Sequence, residues 1–237
     1  MKLIVAGATG FVGSEVLYAA LQHPSVTSVV SLSRRPVLDP RVVNHAKWES
    51  ILLEDFEHYP SDAIARMQGA VGCIWAIGGL ANRFSNYETL HKANVVYPVT
   101  AARKFAETLA SNLGPEHRFR FVYTSGALAE RDQQKQLWTM RDSRLVKGEA
   151  ELSLLDIANS KTDSFEMLIA RPGFVLGKGD VKSYLLGFTG QTRTILVHDL
   201  ASILVDMAVH GAEVIGGQDT ADNLTLVNRA KELRESR

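Results

Sequence analysis

Cysteine is almost absent: Cys73 is the only one in 237 residues, so the chain cannot close an internal disulfide. It stands in the apolar run AVGCIWAIGG, where a buried thiol is expected rather than a ligand or a nucleophile. A reducing compartment follows, and the cytoplasm is the expected location. Net charge is absent too. Twenty-six basic and 26 acidic side chains balance, which leaves no general attraction to nucleic acid or to an anionic membrane. No hydrophobic run approaches the roughly 18 residues of a membrane span, and the N-terminus, one lysine and then glycines, has no signal-peptide core. Nor does a Ser-, Gly- or Pro-rich linker divide the chain, so one domain over 1–237 is expected.

What the chain does contain is alternation. Apolar runs suited to buried parallel strands recur at Lys2 to Ala6, Thr27 to Leu32, Trp48 to Leu53, Val71 to Ile77, Arg118 to Thr124 and Phe165 to Ala170. Between them lie crossovers of about 20 to 40 residues with helical spacing, which predicts an α/β fold: a doubly wound, mostly parallel sheet with helices on both faces. Asn82 to Asn112 reads as one long helix with a kink or break at Pro98. Ala129 to Arg141 reads as an exposed loop or lid, and 172–237 as the substrate-side region.

The stretch GATGFVG sets Gly7, Gly10 and Gly13 three apart, between the first strand and the first helix. Its spacing is G-x-x-G-x-x-G, yet its position is that of a phosphate cradle. Gly7 would allow a sharp turn, Gly10 a close approach of pyrophosphate, and Gly13 tight helix packing. Thr9, Phe11 and Val12 complete the contact surface; the alternative is a turn whose glycines serve packing alone.

About 20 residues past the last glycine, where an acidic residue would bind the ribose hydroxyls of NAD, the chain has Ser33, Arg34 and Arg35. Two guanidiniums and a hydroxyl suit a 2′-phosphate, so NADP is expected over NAD, unless this is only a solvated basic turn. Asp55, after the third strand, serves either the adenine amino group or a helix cap.

These residues resemble the short-chain dehydrogenase/reductase superfamily, and within it the extended and atypical branches near the Tat-interacting-protein-like and NmrA-like members. The resemblance runs through GATGFVG, IWAIGG, FVYTSGAL, SRLVKGEAE, ARPGFVLG and ILVHDLA. It implies a Rossmann fold and a dinucleotide bound by the glycine turn, by Ala76, Ile77 and Gly78, and by Lys147. Pro172, Gly173 and Phe174 are then expected beside the nicotinamide. The superfamily's Y-x-x-x-K pair falls on Ser143 and Lys147, so the usual phenolic acid is missing. An aliphatic hydroxyl cannot replace a phenol of pKa about 10 as a tunable acid.

Ser125, with Thr124 close behind, is the expected supporting hydroxyl, and Ser143 is expected to relay a proton or anchor substrate. Lys147 either holds the nicotinamide ribose or pairs on the surface with Glu151. Asn94 is either a water-holding amide or a packing one, and Tyr87, Tyr123 and Tyr184 are spare phenols. The function implied is reduction of a small carbonyl or enone with NADPH. A redox sensor without turnover and a redox-neutral isomerase or dehydratase are the alternatives. A small-molecule substrate and a homodimer are the expected partners, and no metal is expected.

Overall fold

The computed structural model describes residues 1–177 and 193–235. Its strands are β1 (Lys2–Ala6), β2 (Ser28–Ser33), β3 (Trp48–Leu52), β4 (Ala70–Trp75), β5 (Phe119–Thr124), β6 (Phe165–Ala170), β7 (Phe174–Leu176), β8 (Thr194–Leu196) and β9 (Thr220–Ala221). Seven of them form one parallel sheet in the order β3-β2-β1-β4-β5-β6-β9, while β7 and β8 pair separately. The order reverses direction between β1 and β4, which is where a doubly wound sheet opens a crevice at the carboxyl ends of its strands.

Each strand feeds two cores by its period of two. Along β1, Leu3 and Val5 face a layer with Val16, Leu17 and Ala20 of helix α1 (Phe11–Gln22). Ile4 and Ala6 face the other layer, with Trp75, Phe105 and Phe121. That second layer contains α2 (Ser61–Met67), α4 (Tyr97–Thr108) and α5 (Arg141–Asn159). Trp75 meets Phe56 edge-on at 5.7 Å and stacks near Phe121 at 5.9 Å, so aromatic rings fill the space under the sheet's midline.

The long helical pattern is interrupted earlier than Pro98. A short α3 (Tyr87–His91) passes into a π turn (Lys92–Val96) before α4 begins, and Pro98 sits at the start of α4. Proline lacks an N–H to offer the carbonyl four residues back, and the wider π turn absorbs that loss.

In the C-terminal stretch, α6 (Val197–His210) buries its apolar face against α1 and the sheet, and β9 extends the sheet beside β6. Helix α7 (Asn223–Glu235) covers them, with Leu226 and Ala230 in the same core. No apolar run announced β9, because two residues at a sheet edge need no periodic pattern.

Candidate functional site

The loops after β1, β2, β4, β5 and β6 meet at one edge of the sheet. In the first, Gly7 has φ +89°, and a Cβ there would lie 2.8 Å from the Ala76 carbonyl oxygen. A Cβ on Gly13 would stand 2.0 Å from the Gly7 oxygen, so helix and turn can touch only through glycine. Gly10 differs: it is exposed, and its nearest neighbour would be 3.2 Å away. No side chain caps α1, and its first turn carries no acidic residue, so no side-chain anion of its own offsets the positive end of the helix. Thr9 and Phe11 are exposed beside it, Val12 partly so.

After β2, Ser33 is buried and its hydroxyl donates to the Arg35 carbonyl at 2.7 Å, fixing the turn. Arg34 and Arg35 are exposed, and neither guanidinium has a hydrogen bond or ion pair among the described residues. The neighbouring charges are spent otherwise. Arg41 holds both Asp39 and Glu15, and Lys92 reaches Asp55 at 3.4 Å and also Glu57. Asp55 accepts the Glu57 N–H at 2.8 Å, which together with Lys92 holds its carboxyl below the usual range. Asp55 therefore closes a turn of its own, and no helix begins there for it to cap.

After β4, Gly78 has φ +134° and runs against the Asn94 side chain. Asn94 is fully buried: its Oδ1 accepts from Gly79 N at 3.0 Å and its Nδ2 donates to the Leu90 carbonyl at 2.9 Å. The amide thus fixes the loop that carries Ala76, Ile77 and Gly78. Slightly farther along, Ala81 N donates to the Ser143 hydroxyl at 2.8 Å, so Ser143 clasps the same loop onto α5.

Ser143, Lys147 and Glu151 are four residues apart and share one face of α5. The stem of Lys147 lies 3.6 Å from where a Gly126 Cβ would be, which sets it beside the loop after β5. Its Nζ has no hydrogen bond or ion pair among the described residues and stands 5.9 Å from the Tyr123 ring centre. Burial brings its pKa down to about 8, against the opposing pull of the Glu151 charge. The alternative reading, a surface pair of Lys147 with Glu151, does not form. Glu151 is wholly buried and is held instead by Arg131 at 2.8 Å and by Arg171 in a two-pronged contact.

Ser125 joins this cluster, its hydroxyl donating to Glu151 Oε1 at 2.5 Å, while Thr124 Oγ1 is buried without a partner among the described residues. The Tyr123 phenol points away, to the Asn94 carbonyl at 3.2 Å, and burial pushes its pKa far up. Tyr87 is exposed on α3, and Tyr184 lies outside the described residues.

The loop after β6 is equally constrained. Gly173 N donates to Asn223 Oδ1 at 2.7 Å, and a Cβ on Gly173 would collide with the Arg193 carbonyl. Pro172 is buried, whereas the Phe174 ring is mostly exposed.

Sequence reasoning passed over Glu151, Arg131 and Arg171 as a unit. A clue was present in Gly148, whose Cβ would overlap the Glu130 carbonyl, so residues 129–131 lie flat on α5. The stretch read as a lid is therefore anchored at its start and exposed only farther on, where Trp138 is almost fully exposed. Among the described residues no serine bonds to His198 or Asp199; Asp199 takes Arg234 at 3.0 Å. Among the described residues no cluster suited to a metal ion occurs, and no helix is long and apolar enough to cross a membrane.

No protein-family model matches the chain. Leucinostatins biosynthesis cluster protein T of Purpureocillium lilacinum is 36% identical over 127 residues, 53% of this chain and 42% of that protein. Protein FMP52, mitochondrial, of Coccidioides immitis (strain RS) is 26% identical over 200 residues, 78% of this chain and 70% of that one. The matched part thus spans less than half of the first relative.

Among solved structures, the PhqB reductase domain of Penicillium fellutanum superposes with a TM-score of 0.61 at 16% identity, covering 88% of this chain and 64% of that one. The Bordetella bronchiseptica enzyme WbmF in complex with NAD+ gives 0.66 at 14% identity, over 99% and 78%. The Pseudomonas aeruginosa RhlG/NADP complex gives 0.67 at 11%, over 94% of each. The chain shares the Rossmann-like α/β fold of these structures.

Proposed function

We propose that the protein is an NADP-dependent oxidoreductase of the atypical short-chain dehydrogenase/reductase kind, acting on a small carbonyl or enone. The observation that carries this reading is the pairing of two unspent arginines after β2 with an unspent, partly buried lysine after β5, on either side of a glycine turn that admits a ligand. The residues fit the cofactor. Gly7, Thr9, Gly10, Phe11, Val12 and Gly13 would hold its pyrophosphate, and Arg34 and Arg35 its 2′-phosphate, on the turn that Ser33 fixes. Asp55 would lie at the adenine, Ala76, Ile77 and Gly78 along the ribose, and Pro172, Gly173 and Phe174 at the nicotinamide.

When bound, such a cofactor supplies a hydride; the chain supplies the rest. Lys147 keeps a proton on Nζ at neutral pH and is poised near pH 8 to release it, which makes it the proton source in place of the absent phenol. Thr124 orients the substrate oxygen, Ser125 lines the same end of β5, and Ser143 keeps the β4 loop against α5. The segment around 172–177 and 193–196 would close the substrate side. A homodimer in the cytoplasm completes the reading, although one relative's name places that relative in mitochondria.

The commitment of the Tyr123 phenol to Asn94 favours a second reading, in which NADP is bound for sensing or for redox-neutral chemistry. Calorimetric titration with NADPH and NADH, followed by a panel of ketones, aldehydes and enones, separates them. Tight NADPH binding with oxidation by a panel member supports the reductase. Binding without any oxidation supports the second reading, and no binding of either nucleotide overturns both.

A further inference from the structure

The cluster beneath the candidate site is built on one buried carboxylate, and this decides which way Ser125 faces. Glu151 is wholly buried, and both of its oxygens receive guanidinium hydrogens, Oε2 from Arg131 and Arg171, Oε1 from Arg171 at 2.9 Å. A carboxylate so held is an acceptor only. Ser125 Oγ lies 2.5 Å from Oε1, so the one hydrogen in that contact is the serine's own. Beyond the carboxylate, Arg131 continues to the Thr220 hydroxyl at 2.9 Å, and that hydroxyl gives its hydrogen to Asp219.

We infer that Glu151 is a positioning residue which binds the Ser125 hydrogen, so that Ser125 meets a ligand at the end of β5 as a hydrogen-bond acceptor alone. The group that docks there is a donor, a hydroxyl or an ammonium, and a carbonyl oxygen receives nothing from Ser125. This rests on the proposed placing of the site at Ser125 and Lys147, but it concerns the serine itself and is testable whether or not NADP is used. Arg131, Arg171 and Gly148 belong to the same device. The two arginines hold the carboxylate in place, and Gly148 lets the chain carrying Arg131 reach it.

The test reads the hydroxyl proton by NMR on full-length protein with 13Cβ-labelled serine, in an equal mixture of H2O and D2O. A hydroxyl locked on a buried carboxylate exchanges slowly, so the Ser125 Cβ line splits into protonated and deuterated components. The split line is expected in the wild type and is expected to persist when NADP+ is added. Ser125→Ala identifies the line by its loss, and Ser125→Thr with 13Cβ-threonine restores a split line from residue 125. A single averaged Ser125 line in the wild type overturns the inference, as does collapse of the split on adding NADP+. Glu151→Gln, if folded, is expected to collapse it. Should that variant fail to fold, the wild-type and Ser125→Thr spectra still decide.

Discussion

The Tyr123 phenol donates to the Asn94 carbonyl, an oxygen that Pro98, four residues on, has no N–H to reach. One proline thus frees a carbonyl in the helical layer, and a strand tyrosine occupies it. The phenol thereby turns away from the site, and the Tyr123 ring lies 5.9 Å from Lys147 Nζ as a wall. Replacement Tyr123→Phe is therefore expected to leave NADPH binding unchanged. It should cost about 1 kcal/mol of stability, the worth of one hydrogen bond, read as a lower denaturant midpoint with unchanged slope. A loss of cofactor affinity would assign the phenol to the site instead.

The three glycines should separate in their effects. Gly13→Ala places a methyl group 2.0 Å from the Gly7 oxygen, so the variant is expected to lose stability or fail to fold. Gly10→Val meets no such obstacle in the chain and should stay folded by circular dichroism while losing NADPH in a calorimetric titration. Retained affinity in folded Gly10→Val would mean that the glycine turn serves packing alone.

Arg34→Ala combined with Arg35→Ala removes two guanidiniums that nothing among the described residues engages, so the fold should not change. NADPH binding is expected to weaken by about 2–4 kcal/mol, in proportion to lost charge-assisted bonds, with NADH scarcely affected. Equal losses for both nucleotides would show that this turn does not read the phosphate.

Lys147 makes the pH dependence specific. Its folded pKa, about 8, lies below the ordinary lysine value, so between those two values the unfolded chain binds more protons than the folded one. Stability therefore rises with pH across that window, and below pH 8 the partly buried ammonium destabilises the fold most. Lys147→Met is accordingly expected to raise the melting temperature at pH 7, with the gain shrinking as pH climbs toward 10. If the lysine donates the substrate proton, the wild-type reduction rate should fall above about pH 8, and Lys147→Met should lower it by roughly 10² to 10⁴-fold. A pH-independent melting difference would place the lysine in solvent.

Ser143→Ala tests the clasp on the loop after β4. It leaves the Ala81 N–H without its acceptor and should cost about 1 kcal/mol. The reduction rate should change by no more than a few-fold. A loss as large as that of Lys147→Met would make Ser143 a proton carrier.

The strands were legible from sequence because burial on both faces forces continuous apolar runs, and β1 and β6 fell on the predicted residues. The glycine turn was legible for a related reason: close contact and positive φ at Gly7 are local demands that only one residue type meets. Lys147 on α5 could be found through the Y-x-x-x-K pattern that the resemblance carries, but its burial could not. Glu151 read as the i,i+4 surface partner of Lys147, since pairing along one helix is the nearest contact a sequence displays. The fold instead brings Ser125 and Arg131 from the β5–α5 connection, and Arg171 from the end of β6, onto that carboxylate. In the same way, Pro98 announced a break in the helix, while the partner for the freed carbonyl came from a strand 29 residues away from Asn94. Local periodicity and backbone geometry are written in neighbouring residues; which charges share a buried space depends on strands and helices distant in sequence packing at one sheet edge, and only the tertiary structure decided it.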